Sequence, residues 1–197
     1  MASVLETQRL VLRRFTGDDV DLLVELDSDP SVMRFITGGL TTPRSEIEQE
    51  VLPAFLRHYA RWPAWGFFAI EERVSGTFLG WFHLRPDDED PDDEVELGYR
   101  LRKDAWGKGY ATEGAQALID YAFGRGARRV YAGTMAVNVA SRRVMEKAGL
   151  RFIRSFHQPW PYRIEGEEMG DVEYALLRDE WKPRAADRET RGARPKI

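Results

Sequence analysis

The sequence predicts an α+β fold built on a mixed, mostly antiparallel sheet. Three patterns predict it. Two aromatic and β-branched runs, FFAIEER and TFLGWFHLR, flank the turn Val74-Ser75-Gly76, which is a hairpin signal. Strand, helix and strand patterns follow one another over residues 95–136, which implies one parallel pair joined by a right-handed crossover. The runs RFIRSFH and MGDVEYALL then read as a closing antiparallel pair. One parallel pair among antiparallel neighbours makes the sheet mixed.

The elements follow in order. RLVLRRF (Arg9 to Phe15) reads as the first strand. Thr16 and Asp19 have the spacing of a capping pair before a short helix over Val20, Leu23 and Val24. Thr42-Pro43 reads as the start of a second helix, with Pro43 at its first helical position. Ile47, Val51, Phe55 and Tyr59 recur every four residues as its buried stripe, and Pro53 is expected to bend or split it. After the hairpin and a loop of acids, Asp87 to Glu94, comes the strand VELGYRL (Val95 to Leu101). The next helix has Ala115, Leu118, Ile119, Ala122 and Phe123 on one face. RRVYAGTMAVN is a strand, and the helix after it has Asn138 as N-cap and Gly149 just past its end. Residues 1–182 are expected to form one domain. Residues 183–197, polar, arginine-rich and without periodicity, are expected to be a flexible tail.

Composition narrows the chemistry. A chain of 197 residues with 43% hydrophobic and 31% charged residues can bury a proper core. A formal net charge of -4 gives no reason to expect nucleic acid as a partner. The sequence has no cysteine, which excludes disulfides, thiolate metal sites and a cysteine nucleophile. Three scattered histidines predict no metal site. Met1 to Arg14 carries arginines inside its apolar pattern, unlike a signal peptide, and no run approaches the ~18 apolar residues of a membrane span. The expected location is the cytoplasm, with no membrane partner.

The segment that carries chemistry is Trp106-Gly107-Lys108-Gly109-Tyr110-Ala111-Thr112, between a strand and a helix. Two glycines let the backbone turn its N–H groups inward, and a helix start adds free donors and a partial positive charge. A diphosphate suits such a nest. The P-loop pattern is absent, and the dinucleotide fingerprint is a near miss: Thr112 stands where its third glycine belongs, and no acid follows Thr134 until Glu146. An ordinary strand-to-helix turn would carry the same two glycines.

Four segments, TQRLVLRRF, ELGYRL with WGKGYATEG, NVASRRVMEKAGLRF and LLRDEW, stand in this order across residues 5–182. Together they resemble the GNAT superfamily of N-acetyltransferases, and within it the ribosomal-protein N-acetyltransferase type. Trp106 departs from the Arg or Gln of many members, but backbone donors carry the binding. The resemblance implies the acyl-CoA N-acyltransferase fold, with helices on both faces of the sheet, and acetyl-CoA as co-substrate without a metal. It implies that VELGYRL and VYAGTMAVN are parallel strands that splay apart around the pantetheine arm. Tyr99, Arg100 and Leu101 would offer backbone groups to it, and a backbone N–H near Tyr99 would hold the oxyanion. Asn138 and Ser141 match the family's Asn-x-x-Ser near the pantetheine and sulfur.

Direct transfer to an amine needs positioning and proton handling rather than a covalent enzyme intermediate. Strand alternation puts Glu94, Glu96 and Gly98 on one face, which makes Glu96 the candidate base. A surface carboxylate would show the same pattern. Ser141 is the candidate acid, with a first-turn helix residue bonded to the backbone as its alternative role. His83 is a further candidate for the acceptor cleft, as are Trp65, Trp160 and Tyr162. If the acid run borders that cleft, it favours a cationic acceptor. The expected acceptor is a primary amine, on a small molecule or at a protein N-terminus. A coenzyme A-binding sensor without turnover is the competing class, and the resemblance also allows a homodimer.

Overall fold

The computed structural model describes residues 3–87 and 91–183. Its strands are β1 (Ser3–Glu6), β2 (Leu10–Arg14), β3 (Gly66–Glu72), β4 (Phe78–Arg85), β5 (Glu94–Leu101), β6 (Arg129–Met135), β7 (Arg151–Phe156) and β8 (Asp171–Leu177). They form one sheet in the order β1-β2-β3-β4-β5-β6-β8-β7. Only the β5–β6 pair is parallel among the described strands, so the sheet is mixed and mostly antiparallel, as the sequence predicts. The tail from 184 onward and residues 88–90 of the acid run lie outside the described residues.

The helices are α1 (Val20–Asp27), α2 (Pro30–Thr37), α3 (Arg44–Glu46), α4 (Leu52–Arg61), α5 (Tyr110–Gly124) and α6 (Val139–Ala148). Helices α5 and α6 cover one face of the sheet, where Leu118, Ile119, Ala122, Phe123 and Met145 meet Val95, Leu97, Val130 and Tyr174. Helices α1, α2 and α4, with the turn before α4, cover the β2–β4 part of the other face through Leu23, Leu26, Val32, Ile47 and Phe55. The β6–β8–β7 part of that second face carries the groove described below.

Local chemistry explains most boundaries. Asp19 Oδ2 accepts from the Thr16 N–H at 2.7 Å, and the Thr16 hydroxyl caps in return, so the expected capping box forms ahead of α1. Asn138 Oδ1 accepts from the Ser141 N–H at 3.2 Å and caps α6, whose end is turned by Gly149 at φ 106°. Pro53 does not break its helix. Residues 44–61 stay helical, and a π-helical turn, Ile47–Val51, joins α3 to α4 just before the proline and marks where the α-helical ladder is disturbed.

Three expectations need correction. Pro43 is the N-cap of α3, not its first helical residue. The run at Arg9 is the second strand, because Ser3–Glu6 pairs with it in a hairpin. Helix α2 was not anticipated, although Asp29-Pro30 is a cap followed by a first-position proline, with Asp29 Oδ1 accepting from the Ser31 N–H at 2.8 Å. Its eight residues are too few for a clear 3.6-residue repeat.

The seat of α5 on the sheet depends on a missing side chain. A Cβ at Gly114 would lie 2.4 Å from the Phe82 ring, which is fully buried and cannot retreat. Gly114→Ala should therefore destabilise the protein by about 1–3 kcal/mol, read as a lower urea midpoint at unchanged slope.

Candidate active site

The parallel pair breaks early. Strands β5 and β6 are in register at Glu94–Arg129, Val95–Val130 and Glu96–Tyr131, and there the pairing stops. Both strands continue, β5 along β4 as far as Leu101 and β6 along β8 as far as Met135. Between them the sheet is split from Leu97 and Ala132 onward. Backbone groups of Gly98 to Leu101 that would face β6 have no strand partner there, and such groups need one.

The glycine turn lies at the head of this split. Gly107 (φ 72°) and Gly109 (φ 84°) take the left-handed conformation that favours glycine. Gly109 is the N-cap of α5, and the first helical backbone bond there is Glu113 N–H to Gly109 O at 3.0 Å. The N–H groups of Tyr110, Ala111 and Thr112 therefore stay free, as in any first helical turn. Trp106, Gly107, Lys108 and Gly109 are exposed, and the Trp106 indole donates to Leu101 O at 2.9 Å, tying the turn to the end of β5.

A clamp that sequence reasoning missed holds the turn from behind. Arg9 Nη1 donates to Lys108 O at 2.9 Å, and Arg9 Nε donates to Glu113 Oε2 at 2.6 Å. The other Glu113 oxygen accepts from the Thr7 hydroxyl at 2.6 Å and from the Arg9 N–H at 2.9 Å. The Arg9 guanidinium also stacks on the Tyr110 ring, 4.6 Å from its centre. Glu113 lies more than a hundred residues from Thr7 and Arg9, so no local pattern could reveal the set.

Tyr99 and Ser141 meet on the α6 side of the split. The Tyr99 hydroxyl donates to Ser141 O at 3.0 Å and stands 2.9 Å from Ser141 Oγ. Burial pushes the Tyr99 phenol up to about 12, a shift that Ser141 opposes, so it stays protonated. Asn138 Nδ2 donates to Thr134 Oγ1 at 3.2 Å, which links α6 to the far strand of the split. Tyr99, Asn138 and Ser141 thus lie together, and the 106–112 turn is tied to the end of β5 two residues beyond Tyr99.

Glu96 faces the opposite side. Its Oε2 lies 3.2 Å from His83 Nε2 and 3.0 Å from Arg85 Nη2. The register of β4 against β5 puts Arg85 opposite Glu96 and His83 opposite Gly98. A Cβ at Gly98 would lie 2.3 Å from the His83 ring, so the glycine lets the imidazole lie flat over β5. Burial raises the Glu96 carboxyl, but the charges of His83 and Arg85 outweigh it and hold the group at about 2.

Glu96 opens onto a groove of about 610 Å³ over β6, β8 and β7. Tyr131, Gly133, Phe156 and Trp160 line it, with Asp87, Asp171 and Glu173 as acids and Arg129 and Arg154 as bases. Glu173 is held by both arginines, by Arg129 through a short contact and by Arg154 Nη2 at 2.8 Å. Asp171 was not singled out in the sequence, although Asp171-Val172-Glu173-Tyr174 alternates acid and apolar in the way that β5 does. Of the aromatics expected to line an acceptor cleft, Trp160 does. Trp65 is buried in the α5 core against Tyr121, 8% exposed, and Tyr162 is exposed outside the groove lining. Among the described residues no cluster of His, Asp or Glu could hold a metal, and no helix is long and apolar enough to cross a membrane.

The acetyltransferase (GNAT) domain family matches residues 9–151. The chain belongs to the GNAT acetyltransferase family. It is an acetyl-CoA-dependent N-acetyltransferase. Its relatives include the FsC-acetyl coenzyme A-N(2)-transacetylase of Aspergillus fumigatus, 34% identical over 90% of this chain and 77% of that one. Another is the N-acetyltransferase YnaD of Bacillus subtilis, 30% identical over 90% of this chain and 98% of its relative. A solved GNAT acetyltransferase of Bacillus anthracis superposes with a TM-score of 0.75 at 25% identity, covering 89% of this chain and 98% of that one. The GNAT acyl-CoA N-acyltransferase fold, with helices on both faces, is therefore the fold of this chain. The free donors at the 106–112 turn and the split between β5 and β6 fit acetyl-CoA.

The Glu96 shift makes a stability prediction. A carboxyl lowered in the folded state stabilises above its unfolded value, 4.5, and that contribution is lost as pH falls towards about 2. The melting temperatures of wild type and Glu96→Gln should differ most near neutral pH and converge as the pH falls from 4.5 towards 2. A difference that stays constant over this range would show that Glu96 is not so perturbed.

Proposed function

We propose that this enzyme acetylates the primary amine of a small cationic molecule, by direct attack on acetyl-CoA while both are bound. The split between β5 and β6 carries this reading. It joins a turn of free N–H donors on the α5 side to a carboxylate-lined groove on the other. A groove of about 610 Å³ can enclose a whole small molecule, which favours such an acceptor over a protein N-terminus. The most similar relatives named above are not ribosomal-protein enzymes by name, and the Aspergillus relative is named for N(2)-transacetylation.

Acetyl-CoA supplies the activated acetyl thioester. The N–H groups from Gly107 to Thr112 hold its diphosphate, helped by the α5 dipole. Backbone groups of Tyr99, Arg100 and Leu101 hold the pantetheine arm, and Asn138 flanks it. A backbone N–H beside Tyr99 points at the acetyl oxygen, where negative charge grows during transfer. Ser141 donates towards the departing sulfur, with the Tyr99 hydroxyl 2.9 Å from its Oγ.

On the groove side, Glu96 is anionic at any working pH because His83 and Arg85 hold its carboxyl at about 2. So low a value makes Glu96 a weak proton acceptor by itself. It draws the acceptor's ammonium in and stabilises the positive charge that develops on nitrogen during attack. The amine's proton leaves through water in the groove. The acid limb of the kcat/KM profile should then follow the acceptor amine, not a carboxyl.

A thiol-release assay against an amine panel tests the scheme. Glu96→Gln should lower kcat about 100-fold while leaving the acetyl-CoA KM within about threefold. Gly109→Val should raise the acetyl-CoA Kd by about tenfold or more, because Gly109 holds φ 84° and its N–H belongs to the nest. Unchanged affinity in this variant, with the fold retained, would place the cofactor elsewhere.

A further inference from the structure

Three acids of the groove differ in how their charge is met. Glu96 has His83 and Arg85, and Glu173 has Arg129 and Arg154. Asp171 has no salt-bridge partner among the described residues. It is 2% exposed, and its Oδ1 is buried without a hydrogen-bond partner, although the residue lines the groove. A buried carboxylate oxygen left unpaired is costly, and native proteins rarely keep one without a use. The Trp160 indole, which lines the same groove, lies against this carboxyl.

We infer that Asp171, with Trp160 beside it, is a subsite for a second cation of the acceptor: a protonated nitrogen other than the one that is acetylated. This inference rests on the groove being the acceptor site. The attacking nitrogen must be neutral when it reacts, and a buried carboxylate clasping it would keep its proton on. The nitrogen held at Asp171 is therefore a different one. Topology sets the spacing. Asp171 is opposite Met135 on β6, which borders the split, and β8 is the strand beyond β6. With strands about 4.8 Å apart, a nitrogen attacking in the split and one held at Asp171 are on the order of 5–10 Å from each other across the sheet. A chain of four or five carbons between two amines has that reach. Burial raises the Asp171 carboxyl, opposed by Trp160, the Gln158 backbone and His157, and an arriving ammonium would bring it back down.

The test compares 1,4-diaminobutane, 1,5-diaminopentane, butylamine and 4-hydroxybutylamine. Binding to the coenzyme A complex is measured by calorimetry, and turnover by thiol release. Wild type should prefer the diamines over both monoamines by about tenfold or more, mainly in Kd and KM. Asp171→Asn should shrink that ratio to about twofold, and Asp171→Glu should keep part of it. A wild type that binds butylamine as well as the diamines overturns the inference, and so does an unchanged ratio in Asp171→Asn. The wild-type comparison decides even if the Asn variant does not fold. Diamine-selective binding without acetylation of any amine would sink the proposed reaction and leave the subsite standing. Acetylation without diamine preference would do the reverse.

Discussion

The structure depends on where the ladder between β5 and β6 ends. A parallel pair that ran its full length would be a closed wall, and the protein would have a core but no passage through it. Stopping at Glu96 and Tyr131 leaves backbone polar groups of β5 without a strand partner. Those groups need partners of some kind. A ligand with amides of its own, threaded through the gap, can complete the sheet that the protein leaves incomplete. The outer neighbours keep the gap from collapsing. Strand β5 stays paired to β4 as far as Leu101, and β6 stays paired to β8 as far as Met135.

The supports around the gap are placed where backbone alone would not hold them. The glycine turn is exposed and built from residues with little packing of their own. Its position is fixed by Arg9, which donates to Lys108 O while Glu113 holds its guanidinium, and the N–H side of the turn is left open. On the far side Asn138 ties α6 to Thr134 of β6, so the cap of one element also braces one edge of the split. The same logic explains Gly98, where a side chain would displace the His83 ring that meets Glu96.

The sequence made the frame legible where the signal was local. The hairpin at Gly76, the cap at Asn138 and the apolar face of α5 are written in a few adjacent residues, and each forms as expected. The glycine turn and the alternation that aims Glu96 away from the core were readable for the same reason. What escaped was set by pairing at a distance. The Arg9 clamp joins residues from the start and the middle of the domain, and His83 matters to Glu96 only through the β4–β5 register. Trp65 was misplaced because an aromatic beside a loop looks the same in sequence whether it is buried under α5 or open to a cleft. Asp171 was overlooked because its acid–apolar alternation is ordinary for a strand. Its importance comes from lacking a cation, and a sequence cannot show that.

The charge arrangement then follows from the chemistry on each side of the sheet. On the α5 side the proposed ligand is an anion, and N–H groups and a helix start would bind it without bringing mobile charge near the thioester. On the groove side the proposed ligand arrives as a cation, and carboxylates line its path. Lining that groove with unpaired acids throughout would hold an ammonium too well and keep it protonated. Instead Glu96 and Glu173 are tied to fixed cations, and for Glu96 the charges of His83 and Arg85 hold the carboxyl low. Asp171 alone of these three lacks such a partner, and it is set away from the gap on the next strand over. A sheet that separates two ligands of opposite charge, open only where its strands part, lets each be held by its own sign while the reacting atoms meet in the opening.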